Sequence, residues 1–210
     1  MRSSLFRNTA LILLLLLMTI SGSAQRMLFS IYQTQHWNFP FGEGFDKVLY
    51  KGTIDVKDKH MTGLLLAKKT SDTTIRVVFS NEVGMRFFDI EYTGEKPTVH
   101  YIFPSMNKKA FISILTDDIR MVFLDDMTIN KFSKEAKPEI IRYTTQSSRG
   151  TTLYTVEPET YKLMNMSTSG KKMKKTIINF EYGKKQYPVS VNIENPFIGM
   201  KIRLNLLGEE

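Results

Sequence analysis

Three histidines (His36, His60 and His100) and no cysteine make up the supply of imidazole and thiol in this chain of 210 residues. Thiol nucleophiles, disulfides and Cys-built zinc sites are thereby excluded, and the histidines show neither HxH nor HxxxH spacing, so no metal is expected. Gly42-Glu43-Gly44 is too little for a dinucleotide fingerprint, and neither a GxSxG elbow nor a Walker A loop occurs. Asp117-Asp118 and Asp125-Asp126 are the adjacent acids that a cation or an acid–base pair would use. Neighbours on a helix point in different directions, so solvation and end-capping are their expected roles. Asn165-Met166-Ser167 matches a glycosylation sequon, a pattern short enough to arise by chance. No recognisable catalytic set appears, and the expectation is a protein that is not an enzyme and holds no cofactor.

Binding chemistry is better represented. Lys171-Lys172-Met173-Lys174-Lys175, with Lys184-Lys185 in the following turn, is the densest charge in the chain. Lysines at a hairpin tip protect against edge pairing; set around Met173, they also fit a tip that touches an anionic membrane, where each cation contributes about 1 kcal/mol. Trp37 joins Lys171, Lys172, Met173, Lys174 and Lys175 as an expected membrane contact. Met85, Met121, Met164, Met166 and Met200 have two readings as well, as fillers of a curved core or as a flexible thioether surface for acyl chains.

These residues must be placed by strands. From Val48 onward, turn signals such as Lys57-Asp58-Lys59, Thr70-Ser71-Asp72, Asn81 to Gly84 and Gly94 to Pro97 separate runs rich in Val, Ile, Phe, Tyr and Thr. Five antiparallel strands are predicted between Tyr50 and Phe103. Phe111, Ile114, Leu115, Ile119 and Val122 then recur at helical spacing, which predicts one amphipathic helix over about Met106 to Leu124 with Ser105 as its N-cap. Asp125 to Pro138 is polar and reads as a connection. Six further strands follow from Glu139 to Leu206, about eleven in all.

In Thr74 to Phe79 the residues Ile75, Val77 and Phe79 share one face, and in Ile177 to Tyr182 so do Ile178, Phe180 and Tyr182. A sheet this large must curl to bury such a face. One helix is too little to cover it, so a concave apolar surface is expected. The fold class is mainly β (α+β): a curved antiparallel sheet forming an incomplete barrel, with one helix as lid. Before it, Arg26 to Phe45 is aromatic and interrupted by Pro40, Gly42 and Gly44, and reads as a short segment followed by a strap.

The first residues follow the order of a secretory signal: Arg2 and Arg7, the apolar run Ala10 to Met18, then Ser21-Gly22-Ser23-Ala24. The run is shorter than the roughly 20 residues that cross a bilayer, so residues 1–24 are expected to be cleaved near Ala24, leaving 25–210 as a single domain. The formal charge of +8 includes the two arginines that would leave. For an exported basic chain, anionic membrane surfaces are more fitting partners than nucleic acid, which is not expected. The charge also serves plain solubility.

The run Tyr50-Lys51-Gly52-Thr53-Ile54-Asp55-Val56, then Thr62-Gly63-Leu64-Leu65-Leu66, then Arg76 through Ile90, with Pro104 opening the helix and a closing strand pair around Pro188 to Leu206, resembles the LolA/LolB-like superfamily of periplasmic lipoprotein carriers and outer-membrane receptors. That resemblance implies an incomplete eleven-stranded barrel closed by helices, a periplasmic location, and binding of lipid or lipoprotein acyl chains. The lipidated cysteine that anchors a LolB-type receptor is missing, so a soluble carrier is the better match. On this reading Val77, Phe79, Phe87, Phe111, Ile114, Leu115, Met164, Met166, Phe180 and Tyr182 line the acyl cavity, with transient contacts to membrane or envelope proteins. The competing reading is an envelope-assembly adaptor that binds a protein partner through its strand edges.

Overall fold

The computed structural model describes residues 38–42, 44–94, 96–124, 132–137, 139–146, 150–170, 175–184 and 186–208. The expected signal (1–24), Trp37, Asp125-Asp126 and Lys171 to Lys174 lie outside them.

Twelve strands form one antiparallel sheet: β1 (Lys47–Val56), β2 (Lys59–Ser71), β3 (Thr74–Ser80), β4 (Arg86–Thr93), β5 (Lys96–Ile102), β6 (Phe132–Ala136), β7 (Ile141–Gln146), β8 (Thr151–Val156), β9 (Leu163–Ser169), β10 (Ile177–Tyr182), β11 (Pro188–Asn195) and β12 (Met200–Leu206). Helix α1 (Lys109–Phe123) falls between β5 and β6. The spatial order is β5-β4-β3-β2-β1-β12-β11-β10-β9-β8-β7-β6. Every neighbour is therefore a sequence neighbour except the β1–β12 pair, which joins the two ends of the meander at Gly52↔Leu204 and Ile54↔Ile202. Among the described residues the unpaired edges are β5 and β6, the two strands that α1 connects. The sheet is curved and unclosed, an incomplete barrel with one helix.

Period-two burial drives the curvature. In β1 the residues Val48, Tyr50, Ile54 and Val56 are buried while Leu49, Lys51, Thr53 and Asp55 face outward. Leu65, Val77, Phe79, Phe88, Ile90, Ile178, Phe180, Ile202 and Leu204 extend the inner face across both halves. At the β1–β2 pairing two inner glycines oppose each other, Gly52 and Gly63. A Cβ on Gly63 would lie 2.1 Å from the Ser80 carbonyl oxygen, and one on Gly52 would lie 3.2 Å from the Phe79 ring. The missing side chains let β3 fold tightly over β2. Gly63→Ala is expected to destabilise the fold by about 3 kcal/mol, the upper end for overpacking; the urea unfolding midpoint measures it.

Within β4, Asp89 is a buried carboxylate held by Arg76 of β3 at 2.8 and 2.9 Å and by Arg86 at 2.7 Å. The bonds from Arg76 and the charge of Arg86 hold its pKa below the ordinary value despite burial.

Three local expectations are corrected. Phe132–Ala136, expected within a connection, is strand β6: it pairs with β7 from Phe132↔Thr145 to Ala136↔Ile141, closed by a turn in which Lys137 N–H donates to Ile140 O at 2.8 Å. Pairing with a ready-made edge, not the segment's own pattern, makes it a strand. Ser105 is not the N-cap, because Pro104–Met106 forms a 3₁₀ turn and the chain re-extends at Lys108 before α1 starts. Asp118, expected to be solvated, is buried on the sheet-facing side of α1.

Candidate functional site

Helix α1 lies on the inner face of the curved sheet. Leu115, Ile119, Val122 and Phe123 on it are fully buried, Ile114 nearly so, and Phe111 and Met121 pack partly buried against the same core. An apolar stripe this wide follows from the three- and four-residue spacing of those side chains. Lys109, Ala110, Ser113 and Asp117 make up its exposed side.

Two polar residues of α1 are buried with the stripe, Thr116 and Asp118. Asp118, 2% exposed, accepts a bond at 2.7 Å from the Thr176 hydroxyl, just before β10, and one at 3.2 Å from Asn195 Nδ2 at the end of β11. Thr176 in turn accepts from Asn195 at 3.1 Å, and its N–H donates to Thr168 Oγ1 at 3.0 Å. Burial pushes the Asp118 carboxyl up to about 7, with Asp117 adding to the rise and the bonds from Thr176 and Asn195 opposing it. Asn195 Oδ1 is buried with no hydrogen-bond partner. Because the amide can turn over, a proton on Asp118 offers that oxygen a donor. On the other side of α1, the Tyr92 hydroxyl donates to Thr116 O at 2.9 Å, and burial raises the Tyr92 phenol well above its ordinary value. The helix is thus held to the sheet by apolar contact and a small polar latch, and it supplies no ladder bond to any strand.

A strap closes one end. Asn38 forms a parallel bridge to Lys162 and donates its N–H to Tyr161 O at 2.8 Å. Phe41 and Phe45 then turn inward: Phe41 lies 4.7 Å from the Phe123 ring and 5.8 Å from Tyr187, and Phe45 5.8 Å from Tyr187. Beside this aromatic cluster an apolar groove of about 370 Å³ opens at the rim, lined by Lys47, Val48, Leu49, Leu66, Tyr187, Leu206 and Leu207.

Most of the expected cavity residues do come together. Val77, Phe79, Leu115 and Phe180 are fully buried, Phe87, Ile114 and Met166 nearly so, and Phe111 and Tyr182 partly. A bulge at Phe79/Ser80 turns both Phe87 and Phe88 against Phe79, at 5.2 and 5.7 Å between rings. Met164 is the exception at 38% exposed. The β8–β9 register shifts at Thr155/Val156, so Met164 is skipped in the pairing and leaves the face that Met166 keeps. The hollow is therefore occupied by α1 and by the chain's own rings. Among the expected membrane contacts Lys175 alone is described, exposed and next to latch residue Thr176.

Asp118 is the buried polar residue that the adjacent-acid reading missed. Its signal was its helical position, four residues from Ile114 and Val122 and three from Leu115. Sequon residue Asn165 uses its side chain within the sheet, donating to Ile178 O at 3.1 Å. Among the described residues no three His, Asp or Glu side chains gather around a metal-sized space, and no helix is long and apolar enough to cross a membrane.

Neither a family model nor a curated protein matches this sequence. Solved structures do. A LolA-superfamily protein from Nitrosomonas europaea superposes with a TM-score of 0.52 at 10% identity, over 77% of this chain and 83% of that one. A putative outer membrane lipoprotein-sorting protein domain from Vibrio parahaemolyticus gives 0.46 at 9% identity, over 79% and 85%. A DUF1329 family protein from Desulfovibrio piger gives 0.44 at 11%, over 80% and 89%. The fold of this chain is LolA-like.

Proposed function

We propose that this protein is a non-enzymatic periplasmic carrier that sequesters acyl chains of lipids or lipoproteins between the concave sheet and α1, after export by the segment 1–24. The observation that carries the reading is the roof: one helix, hung between the two unpaired edge strands, covers the apolar face of a twelve-stranded sheet. Lifting α1 breaks no strand pairing. A cargo tail then replaces Leu115, Ile119 and Val122 on the same face, one apolar occupant for another. Each methylene buried in this way gains about 0.8 kcal/mol relative to water, while the contacts α1 gives up offset part of the gain. Such an exchange lets a shuttle release what it binds. The LolA-like fold supports the same reading.

The adaptor reading has one observation of its own, the unpaired edge β5, along which Lys96, Pro97, Thr98, His100 and Tyr101 are exposed. Pro97 and a register shift at Asp89/Ile90 blunt that edge as a template. Extraction and native mass spectrometry of the protein purified from an envelope fraction separate the two. The carrier retains acyl species at roughly one per chain. A chain that stays lipid-free, including when offered lipoprotein or phospholipid, fits the adaptor.

A further inference from the structure

Outward positions on the sheet change character along the strands. At one end of β1 and β2 they are ionic: Asp55 meets His60 across the β1–β2 pair and Arg203 of β12 at 2.6 Å. At the other end they are leucines. Leu49 pairs with Leu66, Leu66 with Val78, and Leu207 N–H donates to Leu49 O at 2.9 Å. One apolar row thus runs from Leu207, just after β12, across β1, β2 and β3 on the convex face, where a solvated sheet places polar residues.

The row is concave where it reaches the rim. Leu49, Leu66 and Leu207, at 37, 37 and 41% exposed, border the 370 Å³ groove that Val48, Leu206 and Tyr187 also line. Among the described residues the other exposed large apolar side chains do not adjoin this row: Val83 and Met85 lie in the β3–β4 turn, Tyr101 on β5, Met164 on β9 and Phe197 in the β11–β12 turn. The volume lies in the range of clefts that hold small apolar ligands. A cationic row runs beside it, since Lys47 pairs with Lys68 and Lys68 with Arg76. Lys51 flanks the other side, against Leu64. Arg76 is committed to Asp89, and Asp46 is the acid nearest the groove in sequence, bonded through its carbonyl to Lys69 N–H. Exposed Lys47 and Lys68 leave the mouth positive.

We infer that this rim groove is a lipid site distinct from the hollow, seating one acyl tail of an anionic phospholipid on Leu49, Leu66 and Leu207 while Lys47 and Lys68 hold its phosphate. It rests on the carrier reading for the presence of lipid, and it adds a place where a tail is held outside α1. Tyr187 belongs to both the groove and the Phe41–Phe45 cluster against Phe123, so the site lies at the end where the hollow is closed by the strap.

The test is photolabelling of the full chain with lysophosphatidylglycerol carrying a diazirine in its tail, used below its micellar concentration, followed by peptide mapping. Adducts are expected on Leu49, Leu66 and Leu206-Leu207, displaced about tenfold better by lysophosphatidylglycerol than by lysophosphatidylcholine. Leu49→Thr combined with Leu66→Thr, outward strand positions where threonine is well tolerated, is expected to cut rim adducts about tenfold without changing those at Phe79 or Phe180. Lys47→Gln with Lys68→Gln is expected to abolish the headgroup preference. Adducts confined to the hollow would overturn the rim site and leave the carrier reading standing. Rim adducts without hollow adducts would do the reverse. A chain that takes no label anywhere, or whose rim is covered by a lipid-independent dimer, would sink the inference.

Discussion

Replacing Asp118 by asparagine is expected to abolish a loss of stability that the wild-type chain shows as pH rises from about 4 to 7. Burial on the sheet-facing side of α1 pushes the carboxyl up to about 7, against an ordinary value of 3.8. Between those values the folded chain holds a proton that the unfolded chain has released, so stability falls as pH increases. The stabilisation is complete below the unfolded value and gone once pH passes the folded one. A displacement of that size corresponds to about 4 kcal/mol. Urea unfolding at pH 5 and pH 8 measures it: the wild type should lose stability between them and Asp118→Asn should not. Equal slopes in the two proteins would mean that Asp118 is not the group responsible. The acids held low, Asp89 by Arg76 and Asp55 by His60 and Arg203, act in the opposite sense. Their contributions are present above the ordinary carboxylate value and are lost in acid, below this window. If α1 is the lid, an ionised Asp118 also loosens it, and acyl affinity is expected to be higher at pH 8 than at pH 5.

Leu115→Ala is the second large effect, and it separates the two proposed functions. Leu115 is fully buried on the face that α1 presents to the sheet, and its truncation is expected to cost 2–5 kcal/mol of stability, an order-of-magnitude range for a buried leucine. In a carrier, the closed helix competes with cargo for the same surface. Weakening closure raises the fraction of chains able to bind, so apparent affinity for an acyl probe is expected to tighten by about tenfold for every 1.4 kcal/mol removed from the closed state alone. A stability loss with no gain in acyl binding, measured by fluorescence titration of an acyl probe at a temperature where the variant is folded, contradicts a competing lid. In an adaptor the same substitution only leaves a cavity.

Gly63, Asp118 and Leu115 mark three levels of legibility. The strands could be read because Tyr50 to Val56 or Thr74 to Phe79 alternate and end in turn residues, and a half-buried strand needs little else. The resemblance built on Tyr50 to Val56 and Arg76 to Ile90 reached the fold that the superposition supports. Strand β6 escaped because Phe132–Ala136 has no alternation and takes its conformation from β7. The start of α1 escaped because Pro104 suits a helix N-terminus equally well as a 3₁₀ turn.

The sequence by itself determined the class: a mainly antiparallel sheet, one amphipathic helix, an apolar inner face and no cysteine for thiol chemistry. Those properties are local, set by periods of two and 3.6 and by residue type. Which distant residues meet was decided only by tertiary structure. Asp118 finds Thr176 and Asn195, 58 and 77 positions away. A single bulge removes Met164 from the face of Met166. Leu49, Leu66 and Leu207 become one groove through the registers of β1, β2 and β12. Pairing register and bulges depend on the energy of the whole sheet, and no window of the chain contains that sum.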